Sequence, residues 1–420
     1  MILVAEILWI IAVTAAVWGT AKLGWTTWTR FQENPTVVSI ERNSNDWNTS
    51  FPAIAVCPKT RYTEQGIDQA LKKYPHVKDQ SAFAEFFKGL ANGSYLTWNE
   101  TLKTPFKEVD PKEFWKIIYD ISLKFTFNVS NSNMEIFNVL EMRRFMTDYG
   151  ICYSYNSMAS PYSEREYWET NNWTYLEDIP MFNGNPLDGD IFAQVMNMNS
   201  GYTLFVLDPY EVPDVATRYN QAENNSYKTL DINALAIASS DSVVKLSVKQ
   251  RKCRFPHESN LEISPAYSYY MCRQECRMKL SKKLCGCVAY FYRPLDGYPV
   301  CDYDGIQCLV KYGSLLHFLA DENEKKHECN CLPLCSETTY TTGIDNTMAW
   351  NLGTNLKWGL IKYPKLRYRR DIIFGVSDLI VSIGGTAGLF LGCSLLSFAE
   401  IFYFFTLRLF IFIMGRVRGK

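Results

Sequence analysis

The stretch that decides the reading runs from Asp378 to Arg408, DLIVSIGGTAGLFLGCSLLSFAEIFYFFTLR. Glu400 is the only carboxylate or cation between its two charged ends, so the segment reads as a membrane span rather than a buried core helix. As a straight α-helix its 29 inner positions would extend roughly 43 Å, well past a hydrocarbon core of ~30 Å. The segment must therefore tilt, bend or break. Gly384, Gly385, Gly388 and Gly392 remove side chains from one region, and Gly392-Cys393-Ser394 sets three small residues in a row. Non-helical backbone at membrane depth is tolerated only where protein buries it or where it lines a water-filled cavity. The interruption therefore has two readings, a pore lining or a small-residue face for helix packing.

The rest of the chain bounds the choice. It has 420 residues, net charge −1, 15% aromatics and 13 cysteines, a balance that excludes nucleic acid as a partner and a disordered acidic tail as a class. Twelve of the cysteines lie between Cys57 and Cys335, and the thirteenth, Cys393, sits in the apolar span. That even set suits an oxidising compartment. Sequons at Asn48, Asn92, Asn99, Asn128, Asn172 and Asn224 fall in the same region and mark glycosylation candidates, so both features point outside the cell.

At the N-terminal end, Ile7 to Ala21 is apolar and Met1 to Val4 extend it, with Lys22 placed to snorkel and Trp25 and Trp28 placed for an interfacial belt. A cleaved secretory signal is the competing reading, but no basic stretch precedes the run, and Trp9 and Trp18 lie inside it. A retained first span is the expectation. Arg408, Arg416, Arg418 and Lys420 make the C-terminal tail basic, which places it, and with two spans the N-terminus, in the cytoplasm. Roughly 340 residues are then left outside, enough for a sizeable core.

Gly392-Cys393-Ser394, with Ile383-Gly384-Gly385 and Gly388-Leu389-Phe390-Leu391 before it and Leu395-Leu396-Ser397-Phe398-Ala399-Glu400-Ile401 after it, resembles the second transmembrane segment of the epithelial sodium channel/degenerin superfamily. Tyr363-Pro364-Lys365, Arg369-Arg370-Asp371 and Ser377-Asp378-Leu379 resemble its insect pickpocket branch. Further in, Phe51-Pro52-Ala53 resembles the family's Phe-Pro-Ala signature, in a β-rich run to Cys57. Tyr149 to Asn156 resembles its Gly-x-Cys-Tyr-x-Phe-Asn strand, with Tyr155 in place of phenylalanine. Tyr202 to Pro209, Glu211-Val212-Pro213 and Ser247 to Cys253 read as further strand-like landmarks, with Leu207 where many relatives have histidine. Tyr62 to about Arg144 is helical and polar in pattern and carries no such landmark.

In the cysteine-rich segment, the spacings Cys272-x3-Cys276, Cys285-x-Cys287, Cys301, Cys308 and Cys329-x-Cys331-x3-Cys335 lack the Cys-x2-Cys pairs that zinc sites use, so disulfides are the reading. Spacing leaves their connectivity open. The resemblance implies Cys57 with Cys152, Cys253 with Cys335, Cys272 with Cys331, Cys276 with Cys329, Cys285 with Cys308 and Cys287 with Cys301. The chain offers no paired nucleophile and base, no phosphate loop and no metal cluster, and so no enzyme and no cofactor or metal beyond permeant Na+ are expected. His76, His257, His317 and His327 read as solvated surface, and Asp302, Asp304, Asp321, Glu322 and Glu324 as a surface charge run.

The expected fold is a membrane protein with two transmembrane helices and a large disulfide-rich mixed α/β extracellular domain, a β-sheet core with peripheral helices. The resemblance implies a trimer. Its divisions are 1–25 for the first transmembrane helix, 26–371 for the extracellular domain (62–144 variable and finger-like, 253–335 disulfide-stapled and thumb-like), 372–407 for the pore segment and 408–420 for the tail. The resemblance implies a subunit of a voltage-insensitive, amiloride-sensitive, sodium-selective channel of the plasma membrane, with sodium ions and lipid as partners, amiloride as blocker and either a homotrimer or a heterotrimer of related subunits. Rings of Gly392, Cys393 and Ser394 would form the selectivity filter, their carbonyls and the Ser394 hydroxyl replacing part of a cation's hydration. Ser397 and Glu400 would face a pore vestibule or pack helices. Val381 stands where relatives carry a very small residue and bulk favours the open state, and Ser382 where acid-sensing relatives carry aspartate. Relatives also carry a His-Gly motif ahead of the first span. Its absence implies a truncated product or different gating. A two-span receptor or adhesion protein, or a non-conducting regulatory subunit, is the alternative.

Overall fold

In the computed structural model, residues 2–42, 46–125, 128–131, 142–320, 325–411 and 414 are described. The chain divides into two units, Met1–Ser39 with Ser239–Lys252 and Arg369–Lys420, and Ile40–Ala238 with Cys253–Tyr368.

In the first unit Ile2–Glu33 forms one helix, α1, uninterrupted because no proline enters it before Asn34-Pro35. Its threonines bond back to carbonyls one turn earlier, Thr14 Oγ1 to Ile10 O at 2.8 Å and Thr20 Oγ1 to Ala16 O at 2.9 Å, so its polar side chains are satisfied without water. It is long and apolar enough to cross a membrane. A shorter apolar helix, Val376–Leu391, runs antiparallel to it, with Gly19 against Phe390, Thr27 Oγ1 3.5 Å from Ser382 Oγ, and Arg30 over the Phe374 ring. The approach is close at Gly19, where a Cβ would lie 3.1 Å from Phe390 Cε1 and the ring would have to shift by a few tenths of an ångström. Ser240 Oγ donates to Asp371 Oδ1 at 2.6 Å, and Gln250 Nε2 to Phe31 O at 3.3 Å.

The Ser247 to Cys253 stretch departs from its strand reading. Val248–Arg251 is a helical turn, because Ser247 and Gln250 form a reciprocal capping box. The Ser-x-x-Gln spacing outweighs the short alternation around it.

Besides a two-stranded pairing of Thr49–Ser50 with Asn183–Gly184, the strands form two larger sheets. The strands are β1 (Thr36–Glu41), β2 (Ala53–Pro58), β3 (Asn128–Asn131), β4 (Arg143–Thr147), β5 (Gly150–Tyr155), β6 (Ile191–Met198), β7 (Tyr202–Leu207), β8 (Asn220–Ala222), β9 (Ser226–Ser239), β10 (Glu337–Ala349), β11 (Thr354–Lys362) and β12 (Arg367–Ile372). β1 pairs with β12. One sheet has the order β8-β7-β2-β5-β4, with Ala55 opposite Phe205 on one side and Ser154 on the other. The other places β9 antiparallel to β10 and parallel to β11, with β6 and then β3 continuing beyond β11.

All six residues of β2 are buried, which explains its unbroken apolar run. Ala53, Ala55 and Cys57 face a core with α2 (Glu64–Lys73), α3 (Gln80–Asn92) and α4 (Phe114–Ile121), where Phe86, Phe87 and Phe114 pack edge to face and Phe83 does so against Phe106. Ile54 and Val56 face a second core with Phe51, Tyr155 and Trp358. Thr63 and Asp79 cap α2 and α3 through their side chains. The disulfide-rich segment contributes α5 (Tyr269–Cys285), α6 (Tyr303–Lys311) and α7 (Gly313–Phe318). The Val376–Leu391 helix is α8, and Leu395–Tyr403 is α9.

Candidate functional site

Of the four glycines in the apolar segment, Gly384, Gly385 and Gly388 lie within α8 and only Gly392 breaks the chain's course. Its φ of 66° and ψ of 15° are left-handed, and its N–H donates to Gly388 O at 3.0 Å. No atom lies within 4 Å of where a Cβ would sit, so conformation rather than space demands glycine. Ser394 returns to extended backbone at φ −103° and caps α9. Its hydroxyl accepts the Ser397 N–H at 3.3 Å, while the Ser394 N–H donates to Ser397 Oγ at 3.2 Å. A π-helical turn at Phe404–Arg408 follows α9.

The last carbonyls of α8 have no helical N–H ahead of them, and the helix dipole adds partial negative charge at this end. Both effects favour a cation beside residues 392–394. Cys393 is a free, half-buried thiol with Sγ 3.7 Å from Leu391 O. Ser397 is half-buried and Glu400 exposed, six residues beyond Ser394. Val381 is 73% exposed, whereas Ser382 meets Thr27 of α1.

The six cysteine pairs are brought together as disulfides, Cys57–Cys152, Cys253–Cys335, Cys272–Cys331, Cys276–Cys329, Cys285–Cys308 and Cys287–Cys301. Cys57 and Cys152 join neighbouring strands β2 and β5, and the Cys272 and Cys276 bridges tie one face of α5 to the returning segment at Cys329 and Cys331. Asn48, Asn92, Asn99 and Asn224 are exposed and Asn172 is half-buried; the side chain of Asn128 lies outside the described residues. So do Asp321, Glu322 and Glu324, and Arg416, Arg418 and Lys420. His76, His257 and His327 are exposed, but His317 is half-buried, and burial, with Arg277 nearby, lowers its pKa.

A family profile described as amiloride-sensitive sodium channel matches residues 2–404. The chain belongs to this family. Among its relatives, sodium channel protein Nach of Drosophila virilis is 27% identical over 236 residues, 52% of this chain and 60% of that protein. Nach of Drosophila ananassae is 22% identical over 413 residues, 90% of this chain and 77% of that one. Pickpocket protein 28 of Drosophila melanogaster is 24% identical over 322 residues, 63% of this chain and 52% of its own length. Amiloride-sensitive sodium channel family members are ion channels rather than enzymes.

Beyond its landmarks this family member holds a buried charge cluster that the sequence did not signal. Arg277, on α5, is fully buried and donates through Nη2 to Asp214 Oδ2 at 2.9 Å and through Nε to Leu316 O at 2.9 Å. Arg273 Nε reaches the same Asp214 oxygen at 3.0 Å. Burial raises the Asp214 carboxyl, but the two arginines outweigh it and hold it below the usual range. Asp148 fares differently: its nearest Arg277 nitrogen is 3.6 Å away, and burial pushes it up to about 7. Glu211 caps α5 from outside, accepting the Ser268 hydroxyl and the N–H groups of Tyr269 and Tyr270 at 3.0 Å each, while burial pushes its carboxyl up to about 8. These acids are scattered over sixty-odd positions of sequence, between Asp148 and Asp214, and no local spacing marks them.

Proposed function

We propose that the chain is a subunit of a sodium-selective, voltage-insensitive, amiloride-sensitive channel, trimeric, in the plasma membrane. In this reading α1 and the α8–α9 segment span the bilayer, both termini are cytoplasmic, and 26–371 is extracellular. The observation that carries it is the single helix break at Gly392-Cys393-Ser394, in an apolar segment of a chain belonging to a channel family. Three copies around an axis turn this break into stacked rings. The carbonyl end of α8 supplies fixed oxygen dipoles to a desolvating Na+, and small residues keep the ring from closing. Gly384 and Gly385, whose Cβ positions are open, offer a close-packing face to a neighbouring copy. Glu400 stands on the cytoplasmic side of the filter, where it concentrates cations or locks helices together.

Whole-cell recording from cells expressing the chain tests this, with external sodium exchanged for potassium or a large organic cation and amiloride then added. A sodium-selective, amiloride-blocked current whose selectivity changes in Ser394→Ala is the expected outcome. A current that is indifferent to the cation, or selectivity untouched by Ser394→Ala, would overturn the filter assignment.

A further inference from the structure

The disulfide-rich segment carries an open cavity of about 670 Å³ that the channel reading leaves unused. Its size is that of a small-molecule site, which typically spans ~300–1,000 Å³. One part of its lining is apolar and aromatic, Tyr269, Phe318, Leu319 and Ala320. The other part carries Arg273, Lys326 and His327, against a single described carboxylate, Glu328. Phe318 is 58% exposed, an uncovered ring at the edge of an aqueous cavity.

Two of these groups keep capacity for an anion. Arg273 is held at Nε by Asp214, which positions the guanidinium and leaves its outer nitrogens for a second acceptor. Lys326 has no ion-pair partner among the described residues. The wall bearing these groups is fixed before any ligand arrives. Cys329 and Cys331 are bridged to Cys276 and Cys272 of α5, and the His327 N–H donates to Leu319 O at 2.8 Å. A preformed wall loses little conformational freedom on binding.

We infer that this cavity binds an amphipathic organic anion, a compact aromatic or alicyclic body bearing one carboxylate or sulfonate. The anionic group lies between Arg273, Lys326 and His327, and the body covers Phe318 and Leu319. Purely apolar ligands leave Lys326 and the outer nitrogens of Arg273 unused, and inorganic anions leave Phe318 in water.

The test is equilibrium dialysis of tritiated 2-naphthoate against the full chain in lipid nanodiscs, with empty nanodiscs subtracted and neutral 2-naphthamide run alongside. Saturable binding at one site per chain is expected, about tenfold weaker for the amide, as loss of a rim charge pair implies. Lys326→Gln and Phe318→Ala should each weaken naphthoate binding by roughly five- to tenfold. Both side chains lie at the surface, so the fold should survive, and unchanged non-reducing gel mobility verifies the disulfides. No saturable binding above empty nanodiscs, equal affinity for acid and amide, or affinity unmoved by both substitutions would each overturn the inference.

Discussion

Gly392 separates two explanations of the small residues in the proposed filter, one resting on backbone conformation and the other on side-chain bulk. At φ 66° a residue with a Cβ pays roughly 1–2 kcal/mol for the left-handed backbone. Alanine also gains about 1 kcal/mol over glycine in a continuous helix, the competing path through residues 392–394. The bias against the break is then ~2–3 kcal/mol per chain, on the order of a hundredfold in population for one copy and more for three acting together. No clash adds to this, since no atom lies within 4 Å of the Cβ position. Asparagine is larger than alanine but enters the left-handed region with much less penalty. The experiment compares sodium-to-potassium reversal potentials for Gly392→Ala, Gly392→Asn and Gly392→Val at matched surface expression. Conformational control predicts that the asparagine form keeps more selectivity than the alanine form, with valine the most impaired. Wild-type selectivity in Gly392→Ala alongside a dead Gly392→Asn would refute the argument and leave pore bulk as the constraint.

Three other outcomes follow from the same structure. The Asp148 carboxyl, held at about 7 in the fold against an ordinary unfolded value near ~4, is favoured protonated, so its stabilising contribution is present below pH ~4 and lost as pH rises through about 7. Asp148→Asn should therefore flatten the pH dependence of thermal unfolding between those values, with up to about 4 kcal/mol at stake, and a variant that melts lower than wild type at pH 8 would show that Arg277 holds the ion. Replacing Cys276 and Cys329 together by serine should lower the stability of the disulfide-rich segment by ~2–4 kcal/mol, read as earlier thermal unfolding or protease cleavage, with reversal potential unchanged in any current that survives. Val381→Ala should reduce basal current if bulk at this exposed position holds the pore open, and an unchanged basal current would contradict that role.

What the sequence disclosed and what it hid divide along physical lines. The apolar segment declared its own length problem, and the Gly-Cys-Ser triplet marked where the helix ends, because a long uncharged run and a positive-φ glycine are both local features. The β2 run was legible for the same reason, being buried on both faces. Locality also misled: alternation around Ser247 suggested a strand, whereas the Ser247–Gln250 box three positions apart makes a helical turn. His317 looked solvated although Leu315, Leu316, Phe318 and Leu319 flank it, and its environment is set partly by Arg277, forty positions away. The Asp148, Asp214 and Glu211 cluster shows the same limit, since its partners meet only through tertiary packing.

That cluster also bears on how any stimulus at the disulfide-rich segment would travel. The segment 208–217 leaves β7 directly, and it grips α5 at three points: Glu211 on the first-turn N–H groups, Pro213 O on Gln274 at 3.3 Å, and Asp214 on both Arg273 and Arg277. Asp208 adds a fourth tie, accepting the Thr338 N–H at 2.7 Å at the start of β10. The disulfides bind α5 to its own returning segment, so they stiffen it without joining it to a sheet. The carboxylates of Glu211 and Asp214 tie α5 to the segment leaving β7, beside the apolar packing of Met271, Met278 and Leu280 in the core that holds Ala55 and Phe205. A displacement of α5 must therefore either carry that segment along or expose Asp214 and Arg277 without partners, and leaving a buried charge unpaired costs ~3–5 kcal/mol. The first course is the cheaper one, so this short acidic stretch holds α5 to the segment that leaves β7 as the disulfides hold it to its own returning segment.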